Sequence, residues 1–271
     1  MPLAAQIQAR RIAETNKTLA EAREAIIGYA MSHIVSPIST CTCQYLADST
    51  LDALTSTCTV SLCPTTGTAS LTLPIARHYL PCPDLDSADP AGDADGDGST
   101  TDINNGLEDR KADGSCSGTV GNFPWVTLGV AAQDAWGNRL HYSLTNDPDD
   151  PLDSTDTYGT YGDSSIGFSN LSRGNNNVCL TGAGGCSTGT VASNVPVVLV
   201  SYGSNGWGAW NINGTRLKEP TSVDELENTD ADPNFVSRAP TKAGSDEFDD
   251  LVVWLSHDML TSRVCPSGGC P

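Results

Sequence analysis

Apolar positions recur at helical spacing in one long stretch. In residues 3–31, LAAQIQARRIAETNKTLAEAREAIIGYAM, Ile7, Ile12, Leu19, Ile26 and Ile27 fall near a 3.6-residue period, and alanines fill the same stripe. Arg10, Arg11, Glu14, Lys17, Glu21 and Glu24 occupy the remaining faces. No proline follows Pro2 within the stretch. The pattern predicts a helix of roughly 40 Å at 1.5 Å per residue, with its stripe packed on a sheet.

Beyond residue 31 the period changes. Short apolar runs appear at WVTLGV (125–130), RLHYSL (139–144), VPVVLVSYG (195–203) and DDLVVWLS (249–256), separated by long loops rich in Asp, Gly, Asn and Ser. Runs of this length and composition read as strands. One long helix followed by short strands predicts an α+β fold: a long N-terminal helix packed on an antiparallel β-sheet, with large disulfide-stapled loops. No internal repeat is visible. We divide the chain into the helical segment 1–36, a cysteine-rich insertion 37–79 within the same domain, and a sheet-bearing body 80–271.

Composition changes the picture in two ways. The 271 residues carry a formal charge of −19, and only 38% are hydrophobic. A chain this acidic is unsuited to nucleic acid or to anionic membranes, which need Lys and Arg. It suits a secreted protein that meets divalent cations. There are also ten cysteines: Cys41, Cys43, Cys58, Cys63, Cys82, Cys116, Cys179, Cys186, Cys265 and Cys270. An even count in turn-rich loops reads as a disulfide set and places the protein in an oxidising compartment. Zinc is the weaker reading, because no C-x-x-C pair occurs and His33, His78, His141 and His257 are scattered. Loop closure favours Cys179–Cys186, Cys265–Cys270 and Cys82–Cys116. In the insertion, nested pairs Cys41–Cys63 and Cys43–Cys58 suit a small hairpin, and other pairings stay open. No signal peptide or transmembrane run occurs. Disulfides require export, so a segment ahead of Met1 is expected.

The segment DADGDG, Asp93 to Gly98, begins like a calcium loop. An EF-hand places a bidentate carboxylate at loop position 12, where this chain has Asn104, and needs a helix on each side. Pro90, Gly92 and Gly98 oppose an incoming helix. It is therefore not an EF-hand. Asp93, Asp95 and Asp97 remain candidate calcium ligands, helped by Asp84, Asp86 or Asp102, against the alternative of a solvated acidic turn.

Four features in order resemble a known family. The amphipathic helix is followed by DAWGNRLHY (134–142), VLVSYGSNG (198–206) and DDLVVWLS (249–256). This series resembles the type IV pilin and type II secretion pseudopilin superfamily. The matching patterns are D-x-W-G-N-x-x-x-Y, S-x-G-x-D-G and D-I-x-x-W. LPCPDLD (80–86) with DELENTDADPNFVSR (224–238) is similar to a large pilin-like subgroup of Gram-negative bacteria. The resemblance covers residues 3–31 and most of 80–264. The prepilin signature and its hydrophobic half-helix are absent, and the insertion at 41–63 is atypical.

The resemblance implies a structural subunit, minor rather than major, of a type IV pilus or type II secretion pseudopilus. Its partners would be other pilin or pseudopilin subunits. It would assemble by helix packing and lie in a filament at the cell surface or in the periplasm. Contact with the inner membrane would come only through the missing N-terminal segment. The family's calcium site maps to Asn205 and Asp250, with Asn205 in place of an aspartate. Asp249, Glu227, Asp230 and Asp232 are near enough in sequence to compensate. Calcium would have a structural role, and without the apolar half-helix the chain is expected to be monomeric or weakly associated.

Catalytic patterns are weak. YGDSSIG (161–167) has no partnering histidine in a convincing context, G-x-S-x-G fails at Tyr202, and H-E-x-x-H is absent. We expect no enzyme. The competing reading is a secreted calcium-stabilised adhesin or carbohydrate-binding module, with Trp207 and Trp210 of GWGAW as exposed aromatics. At least one of the two is expected to pack on the sheet instead.

Overall fold

The computed structural model describes residues 3–35, 41–42, 70–71, 77–85, 105–111, 114–145, 161–164, 167–169, 172–187, 189–241 and 246–265. The fold is α+β. Helix α1 (Leu3–Ser32) is followed by β1 (Cys41–Thr42), β2 (Ser70–Leu71), β3 (Val120–Asn122), α2 (Trp125–Leu128), β4 (His141–Leu144) and β5 (Asn176–Cys179). Then come β6 (Thr190–Val195), β7 (Val197–Ser201), α3 (Val223–Glu227), β8 (Asn234–Val236), β9 (Leu251–Leu255) and α4 (His257–Val264).

The central sheet is antiparallel with order β3-β4-β7-β9. Alternation along β7 and β9 explains its position. Val197 and Leu199, with Leu251, Val253 and Leu255, belong to the cluster that includes Leu19, Ala22, Ile26 and Ile27 of α1. Val198 and Val200, with Val252 and Trp254, point the other way, toward Val178, Val195 and Phe235. The central sheet is thus covered by α1 on one face and by a small sheet, β6-β5-β8, on the other. That small sheet is mixed, since β5 runs parallel to β8, where only antiparallel pairing was expected.

Two expectations need correction. WVTLGV does not form a strand. Trp125–Leu128 is a single helical turn, opened by Pro124 and closed by Gly129 in the left-handed conformation. Proline lacks the N–H a strand ladder uses, and glycine tolerates the positive φ that stops a helix. The apolar stripe of α1 is also covered only in part. Thr15, Leu19, Ala22, Ile26, Ile27, Tyr29 and Ala30 are buried, while Leu3 and Ile7 are 71% and 48% exposed.

The D-x-W-G-N segment is a polar turn stapled to the sheet. The buried Asp134 accepts hydrogen bonds from Trp136 N and Asn138 N on Oδ1, and from Ser201 Oγ on Oδ2 at 2.7 Å. Burial raises its pKa, and those hydrogen bonds oppose the rise. Tyr142 donates to the Pro81 carbonyl, which anchors LPCPDLD to β4. Disulfides Cys82–Cys116 and Cys179–Cys186 are formed as expected. Cys265 is also disulfide-bonded. Its expected partner Cys270, with Cys43, Cys58 and Cys63, lies outside the described residues. At the mouth of the insertion Cys41 and Thr42 pair with Leu71 and Ser70. Among the described residues no helix is long and apolar enough to cross a membrane.

Candidate metal centre

Three chain segments meet where β7 ends and β9 begins. The register Ser201↔Leu251 brings the turn after β7 against Asp249 and Asp250. At Gly203, with φ +59°, a Cβ would stand 2.2 Å from Asp249 Oδ1 and 2.3 Å from its carbonyl oxygen. Glycine is therefore required both by the turn and by the close approach. The third segment is α3. Two residues apart on a helix, Glu225 and Glu227 cannot face the same side, and it is Glu225 that joins the site.

Glu225, Asp249 and Asp250 each offer a carboxylate oxygen, and these atoms lie within 4.8 Å of one another. Glu225 is 1% exposed and Asp250 4%. Glu225 Oε1 accepts from Asn205 Nδ2 at 3.0 Å and from Asp249 N at 3.1 Å. Asp249 Oδ2 accepts from Ser204 N, Ser204 Oγ and Asn205 N. Asp250 Oδ2 accepts from Asn228 Nδ2 at 2.8 Å, and the same buried Asn228 holds Val236 of β8 by both its N–H and its carbonyl. Two acceptors remain: Glu225 Oε2 and Asp249 Oδ1 are buried and make no hydrogen bond. An unsatisfied buried acceptor costs on the order of 1–3 kcal/mol, more when charged.

The electrostatics agree. Burial pushes the Asp250 carboxyl well above the ordinary carboxylate range, and the charges of Glu225 and Asp249 push it further against the Asn228 hydrogen bond. Burial also raises Glu225, opposed by the Asn205 hydrogen bond and reinforced by Asp249. Crowded, desolvated carboxylates with two free oxygens are the donor set of a hard divalent cation, which calcium binds at about 2.3–2.6 Å. Glu225, Asp249 and Asp250 could therefore hold a divalent cation of the calcium type.

The structure treats the other candidates differently. Asn205 enters as a latch: its amide nitrogen donates to Glu225, and its Oδ1 accepts from Trp207 N. Glu227 and Asp230 lie beside the site in a separate acidic turn. There burial first, then Asp232, Asp230 and Asp224, push Glu227 up to about 7. Asp230 is raised, mainly by burial, and its Oδ1 accepts from Asp232 N. Asp93, Asp95 and Asp97 lie outside the described residues, as do Asp86 and Asp102. Asp84 is buried and accepts from Gly106 N. Trp207 and Trp210 are both half-buried, and Lys218 Nζ sits 3.9 Å from the centroid of the Trp207 ring. In YGDSSIG the Ser164 hydroxyl donates to the Gly114 carbonyl, and Tyr161 bonds His257 Nδ1.

Glu225 was missed in the sequence. Its signal was Ser222 at the N-cap position, with Asp224 and Glu225 in the first turn of a short helix. Comparison with known proteins adds nothing to this geometry: no family model, curated protein or solved structure matches the chain.

Proposed function

We propose that this protein is a structural subunit, of pilin or pseudopilin type and minor rather than major, of a filament at the cell surface or in the periplasm. The observation that carries the reading is α1. Its second half is buried on a four-stranded antiparallel sheet, while the turns before Thr15 stand clear of the body with Leu3 and Ile7 exposed. A rigid helix that packs at one end and projects at the other is what subunits joined by helix packing need. The order of helix, D-x-W-G-N turn, S-Y-G turn and D-L-V-V-W strand supports the same reading.

Calcium belongs to this proposal as a structural ion at Glu225, Asp249 and Asp250. It would join the turn after β7, helix α3 and the start of β9. Conformational signalling by calcium needs a helix pair whose angle can change. Here the ion would bridge two loops and one short helix, so its effect is local order.

The test is immunogold labelling of filaments sheared from cells that express the protein, compared with cells in which the gene is deleted. Label along or at the tips of filaments, lost on deletion, is expected. Filaments that never carry label while the protein is found free in the medium would overturn the reading.

A further inference from the structure

We propose that the free edge of β9 is a docking site for an extended segment of another protein, apolar at alternate positions and carrying Lys or Arg at its ends. The inference goes beyond the filament reading and does not rest on it.

The register shows which backbone groups are free. Thr145 N donates to the Pro196 carbonyl at 2.8 Å, and these two residues continue the pairing Leu144↔Val197. Hydrogen-bonded pairs alternate along an antiparallel ladder, so Pro196, Val198 and Val200 direct their backbone groups to β4. Val197, Leu199 and Ser201 therefore bond β9, where they meet Leu255, Val253 and Leu251. Val252 and Trp254 are left with N–H and C=O groups directed away from β7. β9 is the last strand of the order β3-β4-β7-β9, and among the described residues no backbone hydrogen bond reaches its outer side. The opposite edge differs: Asp84 and Asn122 exchange both backbone hydrogen bonds, which extends the sheet beyond β3.

The chemistry of this edge selects a strand. Exposed edges are ordinarily guarded by charged side chains, proline or a bulge. Leu251–Leu255 has no charge and no proline, and its pairing with β7 runs without a register shift. Leu251 and Val253 on the α1 face, and Val252 and Trp254 on the other, are only partly buried. An added strand would complete hydrogen bonds to two N–H and two C=O groups and cover apolar side chains on both faces.

Charge selects the kind of strand. No Lys or Arg lies between Lys242 and Arg263, whereas Glu247 precedes β9 and Asp258 follows it. Neither carboxylate makes an ion pair among the described residues. Asp249 and Asp250 are left out of this count because they belong to the candidate metal centre. A segment with a cation beyond each end of its apolar run complements both acids. A second copy of β9 does not, since it would bring its own acids to the same edge.

The probe is the acetylated and amidated heptapeptide Arg-Val-Thr-Val-Thr-Val-Arg at about 1 mM, with amide hydrogen exchange read by NMR. A Kd of about 0.1 mM slows exchange at an occupied site about tenfold. That slowing is expected at Val252 and Trp254 and not at Val253, whose N–H already bonds β7. Val252→Pro removes only an N–H that bonds nothing in the fold, and it should abolish the slowing at Trp254. Circular dichroism checks that this variant folds. Asp258→Lys, an exposed change, should weaken binding about two- to fivefold at low salt and tests the charge whether or not the proline variant folds. No slowing at Val252 and Trp254, slowing that includes Val253 equally, or equal binding of the same peptide with Glu at both ends would overturn the proposal. Slow exchange at Val252 and Trp254 before peptide is added, with a dimer in sedimentation equilibrium, would overturn it in favour of a second copy.

Discussion

Replacing Asp250 by Asn should separate a metal ligand from an ordinary buried carboxylate. In the folded protein three carboxylates lie within 4.8 Å. At that distance two unit charges repel by about 3.5 kcal/mol for an effective dielectric of about 20. Without a cation, burial first and the neighbouring charges second raise the carboxyls of Asp250 and Glu225 above their usual range. A raised folded pKa means that the native state holds more protons than the unfolded chain. The contribution of these two groups to stability is then greatest at low pH and falls as pH rises from the ordinary carboxylate range through the raised values. Calcium removes that loss. At a hundredfold excess over Kd it should add about 2.7 kcal/mol, or roughly 5–10 °C in Tm for a chain of this size. Asp250→Asn keeps an oxygen for the Asn228 hydrogen bond and removes one charge. In EDTA at pH 7.5 its Tm should equal or exceed that of the unmutated protein, and calcium should move it by less than 2 °C, about a fifth to two-fifths of the full shift. The assay is thermal unfolding followed by circular dichroism, with calcium or EDTA, at pH 5.0 and pH 7.5. In the unmutated protein the calcium shift should be larger at pH 7.5. An equal calcium shift in the variant, or a calcium shift that grows toward pH 5.0, would refute the reasoning.

Gly203→Ala should destabilise the protein by about 2 kcal/mol or more in urea unfolding, because a Cβ at φ +59° meets Asp249 backbone and side chain at once. Removing Cys82–Cys116 should cost more than removing Cys179–Cys186. Their sequence separations of 34 and 7 give about 3.8 and about 2.4 kcal/mol in the chain-entropy estimate. Paired Cys→Ser variants measured by urea unfolding give the order, and a reversed order would contradict it. Asp134→Ala leaves Trp136 N, Asn138 N and the Ser201 hydroxyl without their acceptor and should cost about 2–4 kcal/mol, whereas Asp134→Asn, which keeps an acceptor for the turn, should cost less than half of that.

How much of this was readable in the sequence depended on whether a signal was local. Helix α1 was legible because its stripe repeats over 30 residues, and β7 and β9 because their apolar runs are unbroken. The disulfides between positions 82 and 116 and between 179 and 186 were legible from loop length. The failures came where one residue outweighed a pattern. Pro124 and Gly129 turned an apolar run into a helical turn, and the uncovered start of α1 depends on where the body ends, which no periodicity states. The candidate metal centre was half legible for the same reason. Asp249 and Asp250 stand next to a recognisable strand, and the turn at Asn205 follows another. Glu225 reaches them across 20 residues from Asn205 and 24 from Asp249, and Glu227, equally acidic and two positions on, does not. Only the direction of α3 decides between them. That helix is anchored at both ends: Asp224 accepts from Thr181 Oγ1, Gly182 N and Arg238 Nε, and the Asn228 side chain bonds both the backbone of Val236 and the carboxylate of Asp250. These two anchors, one acidic and one neutral and both far in sequence from most of their partners, turn Glu225 rather than Glu227 toward Asp249 and Asp250, and no local pattern in the chain states that choice.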